Sequence, residues 1–136
     1  MIPTYNEAHR IGGTLEQLCA YLPAVAPSWE IRVVDDGSTD DTRGVVNASA
    51  RDNASIVLQR EPHRGKGGAL RHGLLRARGE LRFMCDADLS MRVEGIARFV
   101  TMVPGRCDIA IGTEGDGALR VGSRLISSRP AETARG

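Results

Sequence analysis

No apolar stretch of the chain approaches the roughly 18 residues that a membrane-spanning helix needs, and no secretory leader is recognisable. Cysteine is scarce and unpatterned. Cys19, Cys85 and Cys107 are odd in number and lack a C-x-x-C spacing, which argues against a disulfide framework or a zinc site and fits a reducing, cytoplasmic setting. His9, His63 and His72 have no metal-ligand spacing either, so surface or packing roles are the plain expectation for each. An excess of one charge is also missing. With 18 Lys and Arg against 17 Asp and Glu, the net charge of +1 argues against a generic polyanion binder, and nucleic acid is not an expected partner. Neither an internal repeat nor a low-complexity linker interrupts the pattern.

What is present is the composition of one globular domain: 136 residues, 41% hydrophobic and 26% charged. Apolar runs of strand length alternate with helix-period segments, and this predicts an α/β fold with a mostly parallel sheet covered on both faces. Strands are expected at the short start Met1-Ile2-Pro3, at Glu30 to Asp35, at Ser55 to Gln59, at Leu81 to Cys85 and at Asp108 to Ile111. Between them, Ile11, Leu15, Leu18, Cys19 and Leu22 recur at helical spacing, with Pro23 and Pro27 beyond. Ser38 or Thr39 can cap a second helix, and a third runs through Leu70, Leu74 and Ala77 to Gly79. Val93, Ile96, Val100 and Val103 form one face of a fourth, closed by Pro104-Gly105. The expected core spans residues 1–113, and residues 114–136 read as a glycine-rich, mobile tail.

Four clusters then fall on loops at one sheet edge, where open α/β sheets bind ligands. Asp86-Ala87-Asp88 follows the fourth strand, and two carboxylates spaced by one small residue suit a Mg²⁺ or Mn²⁺ ion carrying a diphosphate. Asp35 and Asp36 end the second strand, and both are candidate substrate ligands. Gly37 to Asp41 is equally explained by a turn and a capped helix, but that does not explain two consecutive acids. Pro3-Thr4-Tyr5-Asn6-Glu7 would bring an aromatic face and polar groups to the same crevice, although Asn6 as a simple helix cap is the ordinary alternative. Arg64-Gly65-Lys66-Gly67-Gly68 offers backbone amides and two cations at a helix start, a setting for phosphate or merely a solvated basic turn. It is neither a Walker loop, which would need Gly where Arg60 stands, nor a dinucleotide fingerprint, which would need Gly at Leu70.

Taken in order, these blocks resemble the family two inverting glycosyltransferases, above all the polyprenyl- and dolichyl-phosphate sugar transferases. The resemblance covers residues 2 to about 113 and implies a GT-A fold, a Rossmann-like nucleotide-sugar domain. It implies that Pro3, Tyr5, Glu7 and Asp36 hold the base and ribose of a nucleotide-sugar donor, with UDP-glucose favoured over GDP-mannose. Asp86 and Asp88 are then the catalytic acids, Asp86 also touching the substrate and Asp88 holding the metal, with Lys66 near the diphosphate. The implied acceptor is a lipid phosphate, reached by peripheral association at the cytoplasmic face of a membrane.

The chain departs from the family at several points. His63 stands where Asn is common and Ser90 where many members have Gln. Glu114 takes the place of an Arg in a Gly-Ser-Arg triplet that recurs only at Gly122-Ser123-Arg124. Both ends are short by family standards, which suggests a donor-binding half. Two further readings remain open: a non-catalytic nucleotide-sugar-binding remnant, and a nucleotidyltransferase.

Overall fold

All six residues of the strand Ile31–Asp36 are buried, which makes it the spine of the fold. A computed structural model describes residues 1–106, 109–112 and 119–122. In it β1 (Ile2–Thr4), β2 (Ile31–Asp36) and β3 (Ile56–Glu61) form a parallel sheet in the order β1-β2-β3, with Ile2 opposite Val33 and Ile31 opposite Ile56. Burial of β2 on both faces is what a central parallel strand requires, and it explains the apolar run Ile31 to Val34, interrupted only by Arg32.

Side chains alternate across a strand, so the two faces can be read from their partners. Asp35 meets Arg43 of α2 (Thr42–Asp52), which puts Ile31 and Val33 on the α2 face. Val34 lies on the other face, where Gly73 of α3 (Lys66–Arg76) comes so close that an added Cβ would stand 2.7 Å from Val34 Cγ2. Helices thus cover both faces: α1 (Ala8–Tyr21) packs on α2, α2 on β2 and β3, and α3 on β1 and β2. The core draws on Ile2, Ile11, Leu15, Val33, Val34 and Val46, each at most 1% exposed. Full burial of one such aliphatic side chain contributes about 1.5–3 kcal/mol.

Several expected boundaries move. A 3₁₀ turn over Leu22–Ala24 carries Pro23 at its start, so α1 ends at Tyr21. α3 ends at Arg76, with Ala77 already extended, and buries Ala69 and Gly73, while Leu75 stays 66% exposed. Leu81 to Cys85 does not form a ladder strand. It runs beside β1 with one residue's worth of parallel pairing: the Met1 ammonium donates to the Phe83 carbonyl (2.7 Å) and the Cys85 amide to the Met1 carbonyl (3.2 Å). The physical reason is Pro3: backbone groups alternate sides along a strand, so the next donor on this side after Met1 would be residue 3, and proline has no N–H to give.

The chain divides into two compact units, Met1–Arg98 and Phe99–Gly136. α4 (Gly95–Arg106) continues one residue past Gly105. In the second unit β4 (Ile109–Gly112) pairs antiparallel with β5 (Leu119–Gly122). β5 lies within the segment read from sequence as a tail. The remainder of that expectation, residues 113–118 and 123–136, lies outside the described residues, as do Glu114 and Arg124. Among the described residues no helix is long and apolar enough to cross a membrane.

Candidate active site

The loops that follow β1 and β2 are stitched to each other by side chains, and this fixes the floor of the site. Asn6 adopts a left-handed backbone (φ 55°), which Asn tolerates better than most residues. Its Oδ1 accepts from the Thr39 amide (2.8 Å), and its own amide donates to Ser38 Oγ (2.9 Å). The Glu7 amide donates to Thr42 Oγ1 (2.9 Å) and the Ala8 amide to Asp40 Oδ2 (3.1 Å). The N-terminal amides of α1, which have no intrahelical acceptor, are therefore capped by the loop before α2. Thr42 itself is fully buried, and Asp40 also accepts from its amide and hydroxyl. These bonds hold the Asp40 carboxyl below its usual range, first of all through the Thr42 hydroxyl.

Asp35 and Asp36 are both buried but face different tasks. Asp35, with no exposure, accepts from the Ser38 amide (3.3 Å) and pairs with Arg43 Nε at 2.6 Å. It closes the turn after β2 and anchors α2, and it is not among the residues lining the cleft described below. Asp36 is brought to that cleft. Its two carboxylate oxygens accept from the amides of Arg64 (2.8 Å) and Gly65 (2.9 Å), so it holds the basic loop that opens α3. His63 Nδ1 lies 2.9 Å from Asp36 Oδ2.

Lys66, the first residue of α3, reaches Asp86 Oδ1 at 2.7 Å, with the two side chains 62% and 42% exposed. An ion pair this open contributes at most about 1 kcal/mol, so it exchanges readily for other partners. The Asp86-Ala87-Asp88 segment is a tight turn in which the Leu89 amide donates to the Asp86 carbonyl (3.2 Å) and Leu89 takes a left-handed φ of 47°. Buried Ala87 pins it, since its carbonyl accepts from Thr14 Oγ1 of α1. Both acids thereby project from an anchored turn. The Asp88 carboxylate also accepts from the Ser90 amide (3.0 Å). Just before the turn, burial pushes the Cys85 thiol above its usual range, which suits a packing role.

Pro3, Thr4, Tyr5, Glu7, Asp36, Lys66, Ala69, Asp86, Ala87 and Asp88 line one cleft of about 260 Å³ at the C-terminal edge of the sheet. Of the residues expected from sequence, the structure gathers Pro3, Tyr5, Glu7, Asp36, Lys66, Asp86 and Asp88, and leaves Asp35 beneath the loop. Tyr5 is 46% exposed and stacks on His63, with ring centroids 4.5 Å apart. Sequence reasoning missed His63 and the Asn6, Asp40 and Thr42 stitching. The run Asn6-Glu7 and Ser38 to Thr42 did carry a cap signal, but nothing local says that one loop caps the other loop's helix.

Among the described residues no three potential ligands cluster as a ready metal site. Asp86 and Asp88 are nevertheless hard oxygen donors, both reached by solvent, and each engages only part of its carboxylate within the chain. Two such acids fit a divalent cation that takes its other ligands from water and a diphosphate.

Residues 1–115 match the glycosyl transferase family 2 model. A dolichyl-phosphate beta-glucosyltransferase of Trichomonas vaginalis is 40% identical over 100 residues, covering 69% of this chain and 30% of the relative. The dolichyl-phosphate beta-glucosyltransferase of Saccharomyces cerevisiae is 32% identical over 110 residues, covering 76% of this chain and 33% of its own length. Among solved structures, the mannosyltransferase PcManGT from Pyrobaculum calidifontis, in complex with GDP-Man and Mn²⁺, superposes with a TM-score of 0.60 at 31% identity. That likeness covers 75% of this chain and 30% of the other. The chain thus spans about a third of the length of the proteins it matches. The sheet order, the cleft and these likenesses agree on a GT-A fold, and the chain belongs to glycosyl transferase family 2.

Proposed function

We propose that the cleft binds a nucleotide-sugar donor, and that the protein transfers the sugar with inversion to a polyprenyl or dolichyl phosphate. The observation that carries this reading is the meeting of Tyr5, Asp36, Lys66, Asp86 and Asp88 around one opening. Tyr5 offers a ring face to the base, with Pro3 and Glu7 beside it. Lys66 and the start of α3 offer positive charge to the diphosphate, where the helix dipole also favours an anion. Asp86 and Asp88 would hold a Mg²⁺ or Mn²⁺ ion, whose chemistry is to neutralise charge on the departing nucleoside diphosphate. The named relatives are dolichyl-phosphate glucosyltransferases, which supports UDP-glucose as the donor, whereas the GDP-Man complex of the structural neighbour supports GDP-mannose as the second candidate.

In the reaction, a lipid-phosphate oxygen forms a bond to the anomeric carbon. The bond from that carbon to the diphosphate oxygen breaks, and its electron pair leaves with the nucleoside diphosphate. The nucleophile is already an anion, so no proton has to be removed and no general base is needed among the cleft residues. Lys66 stabilises the charge that grows on the leaving group. A lipid acceptor resides in a bilayer, so the reading puts the reaction at a membrane surface, on its cytoplasmic face.

The test is transfer of labelled glucose from UDP-glucose, or labelled mannose from GDP-mannose, to a short-chain polyprenyl phosphate in detergent. Label recovered in the lipid phase supports the reading. Donor binding with neither transfer nor donor hydrolysis would instead favour a binding protein of the same family.

A further inference from the structure

His63 has no part in the donor-binding reading, yet its surroundings are specific. Its ring stacks on Tyr5 with an interplanar angle of 30°. Its Nδ1 lies 2.9 Å from Asp36 Oδ2 and 3.0 Å from the Asp36 backbone oxygen. A backbone carbonyl only accepts, so Nδ1 carries the proton and donates, which fixes both the tautomer and the ring plane. Gly37 lets His63 come this close. It has φ +79°, and a Cβ there would stand 3.0 Å from the His63 nitrogen and 3.1 Å from its Cβ. The His63 side chain is 59% exposed and Tyr5 46%, so the stack is not an ordinary core contact.

We propose that His63 is a positioning residue that holds the Tyr5 ring for a nucleobase and ties this platform, through Asp36, to the loop presenting Lys66. The proposal rests on the donor-binding reading. His63 lies against one face of the Tyr5 ring, which still lines the cleft and stays 46% exposed, so the ring remains accessible to a base. Asp36, already bonded to the Arg64 and Gly65 amides, links base platform and phosphate loop through a single carboxylate. A free Tyr5 side chain would have to lose its rotamer freedom on binding, and the stack removes that loss beforehand.

The test is titration of the full chain with UDP, GDP and inorganic pyrophosphate, each with Mn²⁺, for wild type, His63→Ala, His63→Asn and His63→Phe. His63→Ala and His63→Asn are expected to weaken binding of the preferred nucleotide about three- to tenfold, the scale of one aromatic stack. Pyrophosphate affinity should stay within about twofold, because the anion does not use the ring. His63→Phe, which keeps a stacking ring but cannot donate to Asp36, should restore part of the nucleotide affinity. Equal losses for pyrophosphate and nucleotide, unchanged binding in His63→Ala, or no rescue by His63→Phe would each overturn the proposal. Wild-type chain that binds pyrophosphate but neither nucleotide would overturn the donor reading as well. If His63→Ala does not fold, the contrast between His63→Asn and His63→Phe still decides.

Discussion

Asp86 and Asp88 differ by two positions and a large amount of context. Asp86 pairs through one oxygen with Lys66, while Asp88, exposed at the turn, accepts from the Ser90 amide. Asp88→Ala is therefore expected to leave the fold intact and to abolish the Mn²⁺-dependent part of donor binding. A charge-assisted contact of this kind is worth about 1.5–3 kcal/mol, or a tenfold to hundredfold loss of affinity, readable by calorimetry with and without the ion. The placement of Asp86 and Asp88 at the cleft was legible in the sequence, because the end of an apolar run falls at the sheet edge where open α/β sheets bind ligands. The division of labour between Asp35 and Asp36 was not. Alternation puts two consecutive residues on opposite faces, but only the positions of Arg43 and of the Arg64-Gly65 amides decide which acid is consumed by structure.

At the scale of elements, Asp35 joins β2 to α2, and its loss should be felt as stability. Asp35→Asn keeps the shape but removes the charge that pairs with Arg43 at 2.6 Å. We expect a destabilisation of about 1–3 kcal/mol in urea unfolding, with pyrophosphate binding unchanged in the folded fraction. Glu61 plays a similar part between β3 and α3, pairing with His72 (3.0 Å) and Arg76 (3.2 Å). The Gln59 side-chain amide, then His72 and Arg76, hold its carboxyl below the ordinary 4.5. A depressed carboxylate binds its proton more readily when unfolded, so its stabilisation is present above pH 4.5 and is lost as pH falls through the lower folded value. Glu61→Gln should accordingly be less stable than wild type at neutral pH and show a shallower loss of stability below pH 4.5, measured by urea melts across pH. The strands and helices of the first unit were largely readable from periodicity, since β2 is uniformly buried and α1 buries Ile11, Leu15 and Leu18 on one stripe. Their ends were not. Gly79 looked like the stop of α3, but the helix ends three residues earlier, and Leu81 to Cys85 has strand composition but meets Pro3, which has no N–H to extend the pairing.

For the whole molecule, the arrangement gathers the Tyr5 ring, a basic loop and an acid turn from four loops at one sheet edge, each loop anchored to another element. Thr14 holds Ala87, Asp36 holds the Arg64-Gly65 amides, and Asn6 meets Ser38 and Thr39. Such mutual support is what keeps a polar site in place before its ligand arrives. The proposed donor site would rest on these contacts, in a chain that spans about a third of its relatives. The most direct test is calorimetric titration of the chain with UDP-glucose and with GDP-mannose, each with and without Mn²⁺. The account predicts saturable binding of one donor that depends on Mn²⁺; a folded chain that binds neither donor, with or without the ion, would contradict it.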